Sequence, residues 1–219
     1  MERLELPAHA ALLFDFDGLL VDSETAGLRS WQEIYARHGC ELDMEYWLSH
    51  VGAGDPCEPR DQLQAATGLV IDWDTVEQGR RRRRDELIVA RPGVKALLAR
   101  ARELRLRCAI ASNSPAWWIN YQMRNTGVDP GQFELVLSRD ERRRKKPAPD
   151  VYLAALRFLD IEPHAAIAFE DSVHGVASAR SAGLRCVAVP NEVTRHFDMS
   201  HSDLLVRSLA DIELVVTGC

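Results

Sequence analysis

Five short, continuous apolar runs constrain the fold of this chain more than any other feature of its sequence. They cover residues 11–14, 108–111, 134–137, 165–169 and 186–189. None of them alternates polar with apolar residues, which is typical of strands buried on both faces of a parallel sheet. Helix-like stretches lie between the runs. This order predicts an α/β fold with a doubly wound parallel sheet.

The stretches between the runs predict helices and one inserted domain. A helix is expected to open at Pro149-Asp150 with an apolar face made of Val151, Ala155, Phe158 and Leu159. Two more are expected over residues 94–103 and 172–182. Residues 21–90 contain no strand-like run. We therefore expect a small helical cap over 21–90, and a core formed by residues 1–20 and 91–219.

Composition excludes several classes of partner. The net charge is -6 and 46% of the residues are hydrophobic, which is unsuited to general binding of nucleic acid or anionic membrane. No stretch approaches the roughly 20 apolar residues that span a bilayer. The N-terminus lacks an apolar signal core, and the five cysteines form no CxxC pair. We expect a cytoplasmic protein with no nucleic-acid or membrane partner, as a monomer or weak homodimer.

Two aspartates directly follow the first apolar run. Asp15 and Asp17 precede Gly18, and side chains two residues apart on extended backbone point to the same side. Carboxylates forced together repel, so a bound cation or a shared proton usually compensates. The pair therefore favours a functional site, although a solvated loop beyond a strand would permit the same residues.

Further polar groups stand at the predicted strand ends. Ser112 and Asn113 suit a phosphate oxygen, although either could be a helix N-cap. Lys146, before a proline, offers a cation, unless it only ends a surface basic run. Glu170 and Asp171 offer ligands for a hard cation such as Mg²⁺, or are acids at a helix N-terminus. Because ligands bind beyond the carboxyl ends of parallel strands, the combination predicts phosphoryl transfer.

Four segments carry a family resemblance, in this order: DFDGLLVDSE, IASNS, KKPAPDVYL and AFEDSVHGVASARSAG. The chain resembles the haloacid dehalogenase superfamily of phosphohydrolases, and within it the β-phosphoglucomutase-like branch. The resemblance covers nearly the whole chain and implies a Rossmann-like core with a helical cap inserted after the first motif. It implies a Mg²⁺-dependent phosphatase whose substrate is a small phosphorylated metabolite, plausibly a sugar phosphate.

The resemblance also implies roles for the motif residues. Asp15 would be the nucleophile that forms an aspartyl-phosphate, and the Asp17 side chain would be the general acid and base. Asp15, the backbone carbonyl of Asp17, Glu170 and Asp171 would hold Mg²⁺. The phosphoryl oxygens would be held by three groups: Ser112, the backbone of Asn113, and Lys146. Dehalogenases typically lack an acid at the position of Asp17, so dehalogenation is disfavoured.

The cap should determine the substrate. Glu24, Arg29 and Asp55 are candidates to face the leaving group, although Arg29 is better explained as an exposed charge. Mutases of the branch carry a cap histidine where this chain has Gly27, an arginine where an ungapped alignment gives Asp55, and a cap lysine that this insert lacks. Hydrolysis is therefore favoured.

Two other functions stay open. A sugar phosphate mutase is possible if Arg60 or the arginines at 80–84 replace the missing cations, although a solvated helix face is the simpler interpretation of those arginines. A non-catalytic scaffold would keep the fold without turnover. It is disfavoured because every motif residue is present.

Overall fold

The computed structural model describes residues 1–53 and 59–217. Its strands in chain order are Glu2–Pro7 (β1), Ala11–Phe14 (β2), Arg107–Ala111 (β3), Leu135–Leu137 (β4), Ala166–Glu170 (β5), Arg185–Ala188 (β6), Leu204–Leu205 (β7) and Ile212–Thr217 (β8). Its helices are Ser23–Arg37 (α1), Met44–Ala53 (α2), Pro59–Thr67 (α3), Trp73–Leu87 (α4), Val94–Glu103 (α5), Ala116–Thr126 (α6), Asp150–Leu159 (α7) and Val173–Ser181 (α8).

The main sheet has six parallel strands in the order β4-β3-β2-β5-β6-β7. The strand of this sheet that comes first in sequence, β2, therefore lies inside the sheet, and its two neighbours β3 and β5 lie on opposite sides of it. The chain reverses its winding direction there, which creates a crevice at the carboxyl ends of these strands. The predicted α/β class with a doubly wound parallel sheet is confirmed.

The two faces of the sheet differ in side-chain size. One face carries bulky side chains, including Leu12, Phe14 and Ile110, and packs on a core that also contains β1, β8 and α5. The other face is rich in alanine, including Ala109 and Ala168, and packs on α7 and α8. Both faces are buried, which is why the strands read as continuous apolar runs in the sequence.

A second, two-stranded parallel sheet joins the ends of the described chain. β1 pairs with β8 along its full length. In β1 the buried side chains Leu4 and Leu6 alternate with exposed residues. The sequence analysis did not predict this pair or β7. The alternating pattern of β1 is that of a strand buried on one face only.

Helices α1 to α4 lie between β2 and α5 and have their own hydrophobic cluster. Trp31, Ile34 and Tyr35 of α1 are buried in it. The two connections to the core run side by side, because the amide of Asp22 donates to the carbonyl of Val89 at 2.9 Å. The division into a core and a cap over residues 21–90 stays a prediction.

One expectation about a helix face was wrong, and another holds only in part. Phe158 does not share the buried face of α7, because its side chain is 63% exposed while Tyr152 and Leu156 are buried there. The arginines at 80–84 are not simply a solvated face. The guanidinium of Arg80 lies over the ring of Trp31, and that of Arg84 lies over the ring of Trp118. Arginine stacked on an indole is held by cation–π attraction.

No helix among the described residues is both long enough and apolar enough to cross a lipid bilayer.

Candidate active site

The predicted site residues meet at the carboxyl edge of the main sheet. Asp15 follows β2, Ser112 follows β3, and Glu170 ends β5. A cavity of about 270 Å³ opens over this edge. The predicted site residues that line it are Asp15, Asp17, Glu24, Ser112, Asn113, Lys146 and Asp171. Glu170 is fully buried at this edge, and Asp55 lies outside the described residues.

Three buried carboxylates are grouped beneath the cavity. One oxygen from each of Asp15, Glu170 and Asp171 lies within 4.8 Å of the others. Burial, only partly offset by the nearby Lys146, raises the pKa of Asp15 and raises that of Glu170 to about 7. Burial, together with repulsion from Asp15 and Glu170, raises the pKa of Asp171 well above its ordinary value. Together, the three carboxylates strongly favour the binding of a positive charge.

Lys146 supplies part of that charge. Its ammonium lies 2.7 Å from Asp15 Oδ1 and 2.6 Å from Glu170 Oε1, and its side chain is 5% exposed. Burial alone would lower the pKa of Lys146, but the two carboxylates outweigh burial and raise it. The lysine is therefore a permanent cation at neutral pH. The Tyr152 hydroxyl also donates a hydrogen bond to Glu170 Oε1.

The donor set fits a hard cation. Glu170 Oε2 is buried and has no hydrogen-bond partner, so one oxygen of this carboxylate is left unsatisfied. Carboxylate oxygens are the ligands that Mg²⁺ prefers, and often only one or two carboxylates bind it directly. The residues present therefore fit the predicted ion. Asp171 is oriented by Asn191, whose amide donates to Oδ2 at 2.7 Å.

Two glycines make room for these carboxylates. A Cβ on Gly18, whose φ is +73°, would lie 2.1 Å from Asp171 Oδ2. A Cβ on Gly175 of α8 would lie 1.8 Å from Glu170 Oε2. No side chain fits at either distance, so both glycines are required by the carboxylates they contact.

The predicted phosphate-holding groups lie beside Lys146. Ser112 is 3% exposed and faces the cavity, and its Oγ accepts from the amide of Ser114 at 3.0 Å. Asn113 Oδ1 accepts from the backbone amide of Lys146 at 3.1 Å. The loop after β3 thus fixes the position of the lysine. Ser112 and Lys146 converge on the same cavity as Asp15.

Asp17 is held apart from the three grouped carboxylates. Its Oδ2 accepts from the Ser114 hydroxyl, and its Oδ1 accepts from the Trp118 indole N–H at 2.9 Å. Its side chain lines the cavity. No pattern in the sequence predicted this hydrogen bond.

Of the predicted cap residues, Glu24 alone is shown at the cavity. Burial, with repulsion from Asp17 and Asp15, raises the pKa of Glu24 to about 7. Arg29 points elsewhere and pairs with Glu192 at 2.9 Å, as an exposed ion pair. Its interpretation as an exposed charge agrees with this position.

Sequence reasoning missed four residues that support the site. Tyr152 and Asn191 hold Glu170 and Asp171, and Arg91 donates to the carbonyls of Gly18, Val189 and Pro190. His174 lines the cavity. Asn191 gave the clearest signal, because it stands just beyond the apolar run at 186–189.

Comparison with known proteins identifies the family. The model of the haloacid dehalogenase-like hydrolase family matches residues 12–189. The chain belongs to this family. It is 36% identical over 209 residues to the "Putative phosphatase YhcW" of Bacillus subtilis, covering 94% of each chain. It is 35% identical to Protein CbbY of Rhodobacter capsulatus, covering 91% of this chain and 93% of the relative.

A solved relative contains a sugar bisphosphate. It is the crystal structure of a CbbY mutant from Rhodobacter sphaeroides in complex with xylulose-(1,5)bisphosphate. The TM-score is 0.69 at 28% identity, over 94% of this chain and 97% of that chain. The predicted family is confirmed, and the predicted enzyme class, a phosphoric monoester hydrolase, agrees with the phosphatase name of the Bacillus relative.

Proposed function

We propose that this protein is a Mg²⁺-dependent phosphatase that hydrolyses a small phosphorylated metabolite, most plausibly a sugar phosphate, through a phosphorylated Asp15. One observation carries the proposal. The carboxylate of Asp15 shares a cavity with Ser112, Lys146 and Asp171, at the edge of the sheet where ligands bind in such folds. Nucleophile, cationic anchor and carboxylate donors are therefore within reach of one phosphoryl group.

The first step breaks the ester. An oxygen of Asp15 bonds to phosphorus while the bond from phosphorus to the leaving oxygen breaks, and Asp17 gives that oxygen a proton. In the second step Asp17 takes a proton from water, which attacks phosphorus and releases phosphate and free Asp15. Lys146 and the hydroxyl of Ser112 hold the phosphoryl oxygens and stabilise their charge in both transition states.

The proposed ligands of Mg²⁺ are Asp15, Asp171, Glu170 directly or through water, and the backbone carbonyl of Asp17. When bound, the ion would screen the repulsion between the Asp15 carboxylate and the phosphate dianion. Buried carboxylates with raised pKa values support this assignment, because they gain most from a cation.

The cavity lining supports a polyol substrate. Beyond the phosphate-holding groups it presents the Glu24 carboxylate and the hydroxyls of Ser172 and Thr194, which can hydrogen-bond sugar hydroxyls. Glu24 is the proposed contact to the leaving group. Asp55, outside the described residues, stays a prediction for the same role. The sugar bisphosphate bound by the solved CbbY relative agrees with this class.

Hydrolysis is proposed over phosphate transfer within one sugar. A mutase needs cations to hold a second phosphate, and three arginines of α4 are engaged in ion pairs. Arg80 pairs with Glu77, Arg83 with Glu33 and Arg84 with Asp85. Among the residues that the structure describes, Lys146 is the one lysine or arginine lining the cavity.

Phosphate release over a panel of sugar phosphates, nucleotides, glycolytic acids and p-nitrophenyl phosphate tests the proposal. We expect Mg²⁺-dependent turnover that stops with EDTA and falls at least about 1,000-fold in Asp15→Asn. Mass spectrometry of quenched enzyme should place phosphate on Asp15. Turnover that survives Asp15→Asn would contradict the mechanism, and a bisphosphate requirement without net phosphate release would favour the mutase. No release across the panel, with a co-purifying partner, would favour the scaffold.

The remaining expectations are proposals of the same kind. A monomer or weak homodimer is checked by light scattering over a range of protein concentrations. A cytoplasmic location is checked by cell fractionation.

A further inference from the structure

The carboxylate of Asp17 is held by donors on both oxygens. The Ser114 hydroxyl donates to Oδ2, and the indole N–H of Trp118 donates to Oδ1 at 2.9 Å. Ser114 lies in the loop after β3 and Trp118 in the first turn of α6, so both approach from the same connection. Asp17 and Trp118 are 101 residues apart in the sequence.

The two donors are chemically different. An indole N–H can only donate, so Oδ1 must accept from it whether or not the carboxyl carries a proton. A serine hydroxyl can donate to a carboxylate and can turn to accept from a carboxylic acid. A proton on Asp17 is therefore directed to Oδ2, and the indole defines which oxygen stays the acceptor.

The indole itself is fixed from the side of α4. The guanidinium carbon of Arg84 lies 4.5 Å from the centre of the Trp118 ring. Arg84 is in turn paired with Asp85 at 2.8 Å, and the side chain of Asn125 on α6 donates to the Asp85 carbonyl at 3.0 Å. The ring is thus clamped between the first turn of α6 and the end of α4, which lets its N–H hold a fixed direction.

We infer that Trp118 is a positioning residue for proton transfer: its indole N–H fixes the rotation of the Asp17 carboxyl, so that the proton on Oδ2 is presented to the leaving oxygen. The inference rests on the proposed function, in which Asp17 protonates that oxygen as its bond to phosphorus breaks. Trp118 contacts Asp17 and does not line the cavity, so it acts through the acid and does not touch substrate.

The dependence of rate on the leaving group tests this inference. Trp118→Phe keeps an aromatic ring under Arg84 and removes the N–H donor, together with one of the two fused rings of the indole. We expect kcat/KM for a sugar phosphate, whose alkoxide must be protonated, to fall about 10-fold to 100-fold. For p-nitrophenyl phosphate, whose phenolate leaves without a proton, kcat/KM should change less than about 3-fold. The quantity kcat/KM is used because it reports the steps up to transfer of phosphate to Asp15.

Trp117→Phe is the matched control. Trp117 is the preceding residue on α6, its side chain is 69% exposed, and its ring meets that of Trp118 edge-on at 5.9 Å. Trp117→Phe therefore reduces aromatic packing next to Trp118 but keeps the N–H of Trp118, so both substrates should react as with wild type. Equal loss on both substrates in Trp118→Phe would mark a merely structural role and overturn the inference, as would no loss on either. Wild-type protein that hydrolyses neither substrate would overturn the proposed function and this inference together.

A second measurement does not depend on the folding of Trp118→Phe. In a ¹⁵N correlation spectrum the indole N–H resonance of Trp118 should shift when Asp17 is changed to Asn, because its acceptor changes from a carboxylate to an amide. The resonance of Trp117 should stay in place. An unmoved Trp118 resonance would overturn the inference even where the activity data agree with it.

Discussion

At the scale of single residues, the site has an imbalance of buried charge. Lys146 lies between Asp15 and Glu170, while Asp171 has an amide partner, Asn191, and repulsion from both acids. One ammonium cannot neutralise three carboxylates, and an uncompensated buried charge costs stability. The residues thus suit the binding of a cation and, with it, of a phosphate anion. They are not arranged for the stability of the metal-free protein.

The ionisation of Glu24 should make the stability of the metal-free protein depend on pH. Burial, with repulsion from Asp17 and Asp15, raises the pKa of Glu24 from 4.5 to about 7. The folded state therefore holds the proton more tightly, and stability is lost as pH rises from the unfolded pKa through the folded one. In EDTA, we expect Glu24→Gln to be about 1–2 kcal/mol more stable than wild type at pH 8, and equal to it near pH 4.5.

Urea unfolding of the two proteins across that pH range measures the difference. Glu213→Gln, which removes an exposed carboxylate on β8, is the control and should match wild type throughout. A stability gap that stays constant from pH 4.5 to pH 8 would show that the ionisation of Glu24 is not its source.

Asp15, Ser112 and Glu170 could be predicted from the sequence because each stands at a strand end. Lys146 lies in the connection between β4 and α7, and it could be predicted as a cation before a proline. Residues that orient them could not, because their roles depend on contacts between distant segments. Trp118 bonds a carboxylate 101 positions away, and Tyr152 is 18 positions from Glu170. In sequence, an indole or phenol on a helix looks like core packing. Only the fold turns its polar atom towards an acid.

At the scale of elements, a steric limit between α8 and the Glu170 side chain determines the position of α8. Its third residue, Gly175, faces Glu170, and a Cβ there would lie 1.8 Å from Oε2. Glu170 cannot yield freely, because its other oxygen is bound to both Lys146 and Tyr152. The close approach of α8 to β5 is therefore possible only while the Glu170 carboxylate keeps its position.

Gly175→Ala tests that constraint. We expect a loss of about 1–3 kcal/mol in the free energy of unfolding, since the methyl group must displace Glu170 or the helix. Phosphate release should fall with it, because Glu170 contacts Lys146. Gly79→Ala is the control: it is also a helical glycine, has nothing within 4 Å of the added Cβ, and should gain about 0.5–1 kcal/mol. Chemical denaturation distinguishes them, and an unaffected Gly175→Ala would contradict the geometry.

Prediction of the elements succeeded where burial is two-sided. Four of the five predicted strands, β2, β3, β5 and β6, read as apolar runs because both their faces are covered. The fifth, β4, is apolar although it lies at the edge of the sheet, where Val136 is 37% exposed. β1 alternates Leu4 and Leu6 with charged residues, and β7 has only two residues, so neither gives such a run. Phe158 was misplaced for a related reason: it is apolar and at helical spacing, but only the packing of α7 decides which apolar residues are covered.

At the scale of the whole molecule, the topology makes the site. β2 lies between β3 and β5, so carboxylates, a serine and a lysine from four separated segments share one edge. The order of strands across the sheet is not written in any local pattern, and it follows from the winding rules of α/β folds. Binding of a cation at that edge should therefore stabilise the whole fold and not one loop.

Mg²⁺ should raise the melting temperature of the wild-type protein by about 5–10 °C when present at about 100 times its dissociation constant. Asp171→Asn should differ from the wild-type protein both without and with Mg²⁺. Without metal at pH 7.5 it should melt higher than wild type, because it removes a buried carboxylate that Asp15 and Glu170 repel. With Mg²⁺ it should gain little, because a ligand is lost.

Thermal unfolding in EDTA and in Mg²⁺ separates the two effects, and Asp74→Asn, an exposed acid in the first turn of α4, should follow wild type in both. If Asp171→Asn melts lower than wild type in EDTA, the carboxylate stabilises the metal-free fold and the charge imbalance is wrong. If it gains as much from Mg²⁺ as wild type, the ion binds elsewhere. The higher melting temperature in EDTA and the smaller gain from Mg²⁺ are expected together. The carboxylate of Asp171 that is repelled in the metal-free protein is the same carboxylate that would bind the ion.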